Sequence, residues 1–324
     1  MKKILVSGGA GYIGSVLVKL LLESGYKVRV IDNLRFGGEA IIDLLNNPNF
    51  EFIKGDTRND DDLKLAVQGV DYIAHLAAIV GDPACAKEPD LARATNLDAS
   101  KNFYKIANEN GVKKFVFAST CSNYGKMKDE NAFVNEESEL SPVSLYAETK
   151  VAVEQFLLSQ DKNNVCKPTN LRFSTVYGLS PRIRFDLTVN EFTKELALGR
   201  ELVIFGEQFW RPYCHVIDLA RGVKAVFEAE DSKVAFEVFN VGDTNENYQK
   251  QMIVEEIRKQ LPEAKIKYVK RDEDPRDYRV NFDKISNKLG YKITKKVPEG
   301  VEQIIKVIKD GFLNSPDDGK YKNI

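Results

Sequence analysis

The chain has 324 residues, 43% of them hydrophobic and 29% charged, with a formal net charge of −1. That balance belongs to a soluble globular protein of one large or two modest domains, and a charge so near zero gives no electrostatic case for nucleic acid or an anionic membrane surface. No apolar run approaches the roughly 20 residues that a membrane-spanning helix needs.

The first element is read from "MKKILVSGG". Ile4, Leu5 and Val6 suit a strand buried on both faces, and the glycines that follow cut the run too short for a secretory signal. Ile13, Val16, Leu17, Leu20 and Leu21 then recur at helical spacing, Gly25 stands where a helix would end, and "KVRVID" is a second strand. This β-α-β unit implies a parallel sheet with a right-handed crossover. "FEFIKGD", "DYIAHLAA", "KKFVFAST" and "TNLRFSTVYG" predict strands three to six, with helices over 91–110 and 145–159 between them. Strands alternating with helices point to a doubly wound α/β fold. After Gly178 the rhythm weakens. "RFDLTVNEFTKELALG" and "VIDLARGVKAVFEAE" read as helices, "ELVIF" as a short strand, and "FEVFNVG" as a return to the sheet. A smaller cap is expected from Asn247 onward, and the polar "SPDDGKYKNI" is expected to fray.

Cys85, Cys121, Cys166 and Cys214 are widely spaced and form no C-x-x-C, so reduced thiols and a cytoplasmic location are expected. His75 and His215 are far apart with apolar neighbours. They read as core or supporting residues, and no metal site is expected.

Two features carry chemistry. "GGAGYIG" places glycines at 8, 9, 11 and 14 between the first strand and its helix, where residues without Cβ let backbone N–H groups approach a pyrophosphate. Asp32 ends the next strand, close to the spacing of a carboxylate that binds an adenosine ribose; it would repel a 2′-phosphate, which favours NAD over NADP. Arg35 could offset that preference or be an ordinary exposed arginine. The second feature is "YAETK", which sets Tyr146 and Lys150 at i and i+4 on one helix face. A lysine ammonium near a phenol favours phenolate and lowers its pKa; a solvated helix face carries the same letters. Upstream, Thr120 ends the fifth strand, where an α/β fold opens its ligand crevice. Its hydroxyl could meet a substrate oxygen, whereas Ser119, Thr120 and Ser122 could also serve only as turn residues.

Over nearly its whole length the chain resembles the extended short-chain dehydrogenase/reductases that act on nucleotide sugars. The resemblance rests on "GGAGYIGS", "DNL" at 32–34, "GD" at 55–56, "HLAA" at 75–78, Asn96 in "RATNLDAS", "STCSNYG", "YAETK", "LRFSTVYG" and "RPYCHVIDLA". It implies an α/β fold with a Rossmann-type doubly wound parallel sheet and a smaller C-terminal α/β substrate domain. The NAD-binding unit would comprise 1–173 and about 212–240, the nucleotide-sugar unit about 174–211 and 241–315, with a tail at 316–324. Gly8, Gly11, Tyr12, Ile13 and Gly14 would cradle the NAD pyrophosphate. Asp32 and Asn33 would stand by the ribose, Asp56 and Thr57 by the adenine, and Leu76, Ala77 and Ala78 along the cofactor channel, with Asn96, Tyr146 and Lys150 also binding the cofactor, Lys150 at the nicotinamide ribose. Thr120, Tyr146 and Lys150 match the catalytic threonine, tyrosine and lysine. Arg211 matches an arginine on the substrate diphosphate, and Arg276 in "DPRDY" falls where a second is usual. A homodimer is also implied.

Two departures narrow the reaction. The family's 4,6-dehydratases follow the catalytic threonine with Asp and Glu, but Cys121 and Ser122 stand here and offer no carboxylate. Thr175 replaces an asparagine common in epimerases, and "LSPRIRFD" brings Arg182 and Arg184 to the start of the substrate unit, as phosphate or substrate contacts or as surface charge. That stretch resembles a branch that includes 4-dehydrogenases of GDP-heptoses. The expected function is an NAD-dependent nucleotide-sugar epimerase acting through a transient ketone at C4. The alternatives are a net 4-dehydrogenase or reductase that releases the keto-sugar, or a non-catalytic NAD-binding regulator.

Overall fold

In chain order the strands are β1 (Lys3–Ser7), β2 (Lys27–Asp32), β3 (Phe50–Lys54), β4 (Tyr72–His75), β5 (Lys114–Thr120) and β6 (Lys167–Phe173). They continue as β7 (Thr175–Tyr177), β8 (Leu202–Phe205), β9 (Trp210–His215), β10 (Glu237–Val241), β11 (Asn247–Gln249) and β12 (Ile266–Val269). The computed structural model describes residues 1–127, 129, 132–269 and 276–323; Asp274 and Pro275 of "DPRDY" fall outside them. Seven strands form one parallel sheet in the order β10-β6-β5-β4-β1-β2-β3. The order reverses beside β1, so the carboxyl ends of β1, β4 and β5 open a crevice at the switch point.

Strand periodicity builds two cores from one sheet. Ile4 and Val6 join Val116, Ala118 and Leu171 under helices Tyr12–Glu23 and Val216–Glu228. Leu5, Ile73, Phe115 and Phe117 point to the other face, under helices Asp60–Val67, Ala99–Glu109 and Leu145–Leu158. Side chains alternating on a strand buried on both faces require this. A separate core joins Tyr177, Leu202, Ile204 and Tyr213 to helices Thr188–Ala197, Lys250–Gln260 and Val297–Lys309. It carries a β11-β9-β7 sheet and a β12-β8 pair.

Three expectations change. "TNLRFSTVYG" is two strands, because β10 ends at Val241 and leaves β6 without a partner beyond it. There the Ser174 hydroxyl and amide both donate to the Val241 carbonyl, at 2.8 and 3.3 Å, and the chain crosses to pair with β9. The helix expected over 91–110 is interrupted by a wider π turn at Ala94–Asp98, a feature that often marks functional sites. The polar tail is not frayed: Asp317 pairs with Lys194 and Arg200 at 2.9 and 2.6 Å, and the Phe185 amide donates to the Tyr321 carbonyl at 2.8 Å.

A buried ion pair joins β6 to the helix Leu145–Leu158. Arg172 of β6 reaches Glu154 of helix Leu145–Leu158 at 2.8 Å, with both side chains inaccessible. Ser119 of β5 donates to the same carboxylate, as does the Asn123 amide at 2.9 Å, and Arg172 also donates to the Tyr124 hydroxyl at 2.9 Å. Glu154→Ala would strand the guanidinium in the core, and a loss of about 3–5 kcal/mol is expected in urea unfolding; a change below about 1 kcal/mol would refute the pair's role.

Candidate active site

The crevice is a cleft of about 440 Å³. Its floor begins at the β1 turn. Gly8 has φ +74°, and a Cβ there would lie 2.9 Å from the Ala77 amide nitrogen; a Cβ at Gly14 would lie 2.0 Å from the Gly8 carbonyl oxygen. Only glycine lets the strand, turn and helix approach so closely. Gly11 starts helix Tyr12–Glu23 with no capping side chain, so the first-turn amides of Tyr12, Ile13 and Gly14 are left to the cleft they line. That is a cradle for an anionic phosphate.

Asp32 holds the cradle's far side. Its carboxylate accepts from the Ala10 amide at 3.0 Å and the Leu34 amide at 2.8 Å, and burial raises its pKa despite them. Asn33, Asp56, Thr57, Leu76, Ala77 and Ala78 line the same half. Asp56 is held down to about 2, first by its bond from the Arg58 side chain. Arg35 is engaged by Glu88 at 2.7 Å, which answers its charge.

Thr120, Tyr146 and Lys150 also line the cleft, together with Thr175, Arg182, Arg184 and Arg276. Ser119 is committed to Glu154, while the Thr120 hydroxyl accepts from the Ser122 amide at 3.1 Å. Ser144 caps the helix that carries Tyr146, accepting from the Ala147 amide at 3.3 Å. Lys150 Nζ donates to the Ala118 carbonyl at 2.8 Å and lies 5.8 Å from the centre of the Tyr146 ring. The expected drop in the phenol pKa is reversed in the folded chain: burial is the largest influence and raises it, and the cation that opposes burial is Arg184. Burial also pushes Lys150 down to about 8.

Asn96 and Arg211 are not among the lining residues. Asn96, in the π turn, is buried behind the wall and bonds both the amide and the carbonyl of Ile79, at 2.8 and 2.9 Å, so it shapes the loop instead. Arg211 donates to the Trp210 carbonyl at 2.6 Å and lies 5.3 Å from the ring of Tyr278, which does line the cleft. Several wall residues escaped sequence reading: Phe36, Asp82, Asp186, Tyr278 and Asn323. Asp82 meets Arg276 at 2.9 Å across a long sequence gap that no local pattern reveals. Tyr12 has a second task as well, its hydroxyl donating to the Gly178 carbonyl at 2.5 Å and accepting from Asn190 at 3.1 Å. His75 bridges Ser7 and Ser100 inside the core, and His215 caps helix Val216–Glu228.

The model of the NAD dependent epimerase/dehydratase family matches residues 4–242. The chain belongs to that family. Its cofactor is NAD, and the glycine cradle, the Asp32 carboxylate and the uncapped helix start fit that group. The chain is 34% identical over 235 residues to the uncharacterized UDP-glucose epimerase YtcB of Bacillus subtilis strain 168, a match that covers 69% of this chain and 72% of that one. It superposes on UDP-glucuronic acid 4-epimerase from Bacillus cereus, crystallised with UDP-glucuronic acid and NAD, with a TM-score of 0.83 at 29% identity, covering 95% and 99% of the two chains. On UDP-glucose 4-epimerase from Thermotoga maritima, crystallised with UDP-glucose, the TM-score is 0.84 at 27% identity, covering 96% and 100%. Among the described residues no helix is long and apolar enough to cross a membrane.

Lys150 yields a stability prediction for this family member. Its charged form is penalised in the fold, fully below pH 8 and progressively less as pH rises toward 10.5. Lys150→Met should therefore stabilise the protein at pH 7, by up to about 3 kcal/mol, in urea unfolding, and the gain should fade between pH 8 and 10.5. Destabilisation at pH 7 would count against it.

Proposed function

We propose that the protein is a nucleotide-sugar epimerase that inverts its substrate through a transient ketone at C4. The observation that carries this reading is the convergence of Thr120, Tyr146 and Lys150 on the cleft that also holds the glycine cradle and Asp32. A binding module needs the cradle but not the proton-handling residues.

Bound NAD supplies the hydride acceptor and returns the hydride. Tyr146 takes the proton of the sugar 4-hydroxyl as the carbinol is oxidised and gives it back on reduction. Lys150, anchored on the Ala118 carbonyl, keeps a cation beside that phenol, and Arg184 adds a second favourable charge. Thr120, fixed by the Ser122 amide, orients the reacting hydroxyl. Thr175 and Arg276, both in the cleft wall, would contact the substrate on this reading, with Arg211 packed against Tyr278. Holding the reactants in one crevice converts an encounter into an intramolecular step.

Elimination of water is disfavoured. Cys121 is buried against the Arg172 carbonyl, with burial holding its thiol protonated. The lining carboxylates are all engaged: Asp32 by amides, Asp56 by Arg58, Asp82 by Arg276 and Ser144, and Asp186 by Arg184. None stands ready beside Thr120 as the acid or base of a dehydration.

The same reading expects a homodimer built on the adjacent helices Ala99–Glu109 and Leu145–Leu158, and its four free, buried thiols suit a reducing, cytoplasmic setting. The nucleotide sugar is to be found by offering UDP-glucose, UDP-glucuronate and their dTDP, GDP and CDP counterparts, with NMR of the products. Inversion at C4 supports the proposal. Net release of a keto-sugar, or NAD binding without turnover on any of them, overturns it. Tyr146→Phe should lower hydride transfer by about 10²-fold or more while NADH affinity, read by nicotinamide fluorescence, stays within about twofold of the parent.

A further inference from the structure

Charge does not balance at one end of the cleft. Arg182 and Arg184 are each only 7% exposed. Arg184 spans Asp186 with two bonds, at 2.9 and 2.7 Å, which takes up that carboxylate. Arg182 has no ion-pair partner among the described residues. Its Nη2 donates to the Lys322 carbonyl at 3.0 Å, and its Nε is buried with nothing to bond. A buried guanidinium with an unused donor is costly unless an anion answers it, and its planar fork matches phosphate oxygens.

The position of this excess charge identifies the anion. The Arg182 guanidinium lies 4.3 Å from the centre of the Phe36 ring, on the turn that follows Asp32. Arg184 lies 6.0 Å from the ring of Tyr12, at the start of the glycine-loop helix. Both arginines therefore border the nucleotide-cofactor half, whereas Arg276 meets Asp82 and the Tyr278 hydroxyl donates to Ser122, next but one to Thr120.

A second orphan lies beside the first. Segment 313–323 is fastened over this corner by Tyr321 packing on Phe185 at 5.7 Å and by Asp317 bridging Lys194 and Arg200. The Asn323 amide nitrogen donates to Asp186 at 3.2 Å, and its side chain lines the cleft with a buried, unpartnered Oδ1.

We propose that Arg182 binds the pyrophosphate of NAD together with the glycine loop, and that segment 313–323 is a clasp that holds Arg182 in place and slows cofactor release. Of the readings that the sequence leaves open for Arg182, substrate, phosphate or surface charge, this takes phosphate and assigns it to the cofactor. It rests on the NAD dependence of the family and not on which sugar reaction follows.

The test is binding. In Arg182→Gln the Kd for NADH, followed by nicotinamide fluorescence, should rise roughly 10- to 100-fold. The Kd for ADP should rise comparably, while those for adenosine and UDP stay within about twofold. A loss of UDP affinity with NADH unchanged would assign the arginine to the substrate and overturn the proposal. Equal losses for adenosine and ADP would make its role structural and overturn it too. Tyr321→Ala, which touches neither cleft nor cofactor, should speed NADH release in stopped-flow displacement about fivefold or more. If Arg182→Gln does not fold, Arg182→Met and Tyr321→Ala decide: NADH affinity and release rate unchanged in both sink the idea. The failure of this proposal would leave inversion at C4 intact, because product NMR reads the one and cofactor binding the other.

Discussion

The separation of the Thr120 hydroxyl from the Tyr146 phenol is governed by the buried contact between Arg172 and Glu154. Thr120 ends one strand, Arg172 lies on its neighbour in the sheet, and Tyr146 and Lys150 ride on the helix that carries Glu154. Backbone ladders fix the two strands relative to each other but leave the helix free to slide or roll on the sheet. A carboxylate that must meet a guanidinium, a serine hydroxyl and an asparagine amide at once permits one position. Apolar packing alone tolerates shifts that would take Tyr146 off its target; a half-satisfied polar network does not. The same carboxylate explains why Ser119, though next to Thr120, does not compete with it for the cleft.

What could be read from sequence was what depends on local periodicity. The β1 run, its helix and Asp32 are separated by few residues, and their pattern is fixed by strand and helix geometry. Thr120, Tyr146 and Lys150 were legible through motifs whose spacing mirrors one strand end and one helical turn. Other features depend on partners far along the chain. The break at Ser174 is decided by where β10 stops, some 67 residues later. The order of segment 313–323 is decided by Phe185, Asp186 and Lys194, none of which a reading of "SPDDGKYKNI" brings to mind. Asn96 is tied to the cofactor by its motif, yet its side chain bonds the backbone of Ile79 in the cleft wall and does not itself line the cleft; a motif records that a residue matters, not whether it acts by touch or by support.

Electrostatics in the crevice follow from desolvation more than from pairing. Burial raises the Tyr146 phenol and lowers the Lys150 ammonium, each in the direction that disfavours charge. A phenol that is to take a proton from a hydroxyl must first ionise, so on the proposed mechanism this burial has to be offset. The phenol stays protonated until a cation nearby makes its ionisation worthwhile, and Arg184 already supplies part of that field. Stability is given up at Lys150, as it commonly is where activity demands buried charge.

On the proposed assignments the cleft has two cationic ends that divide its work. Arg276, paired with Asp82, and Tyr278, backed by Arg211, form one end. The glycine loop, Arg182 and Arg184 form the other. A nucleotide sugar and a dinucleotide each carry a pyrophosphate, and a crevice with a single cationic patch could seat either molecule in the place of the other. Separate patches, one of them closed over by segment 313–323, set the two ligands head to head. The reacting carbon then falls between them, where Thr120, Tyr146 and Lys150 stand. The clasp has a further chemical consequence for an epimerase. Inversion returns the hydride to the molecule that gave it up, so a cofactor that cannot leave between the two half-reactions keeps the reaction from stopping at the ketone.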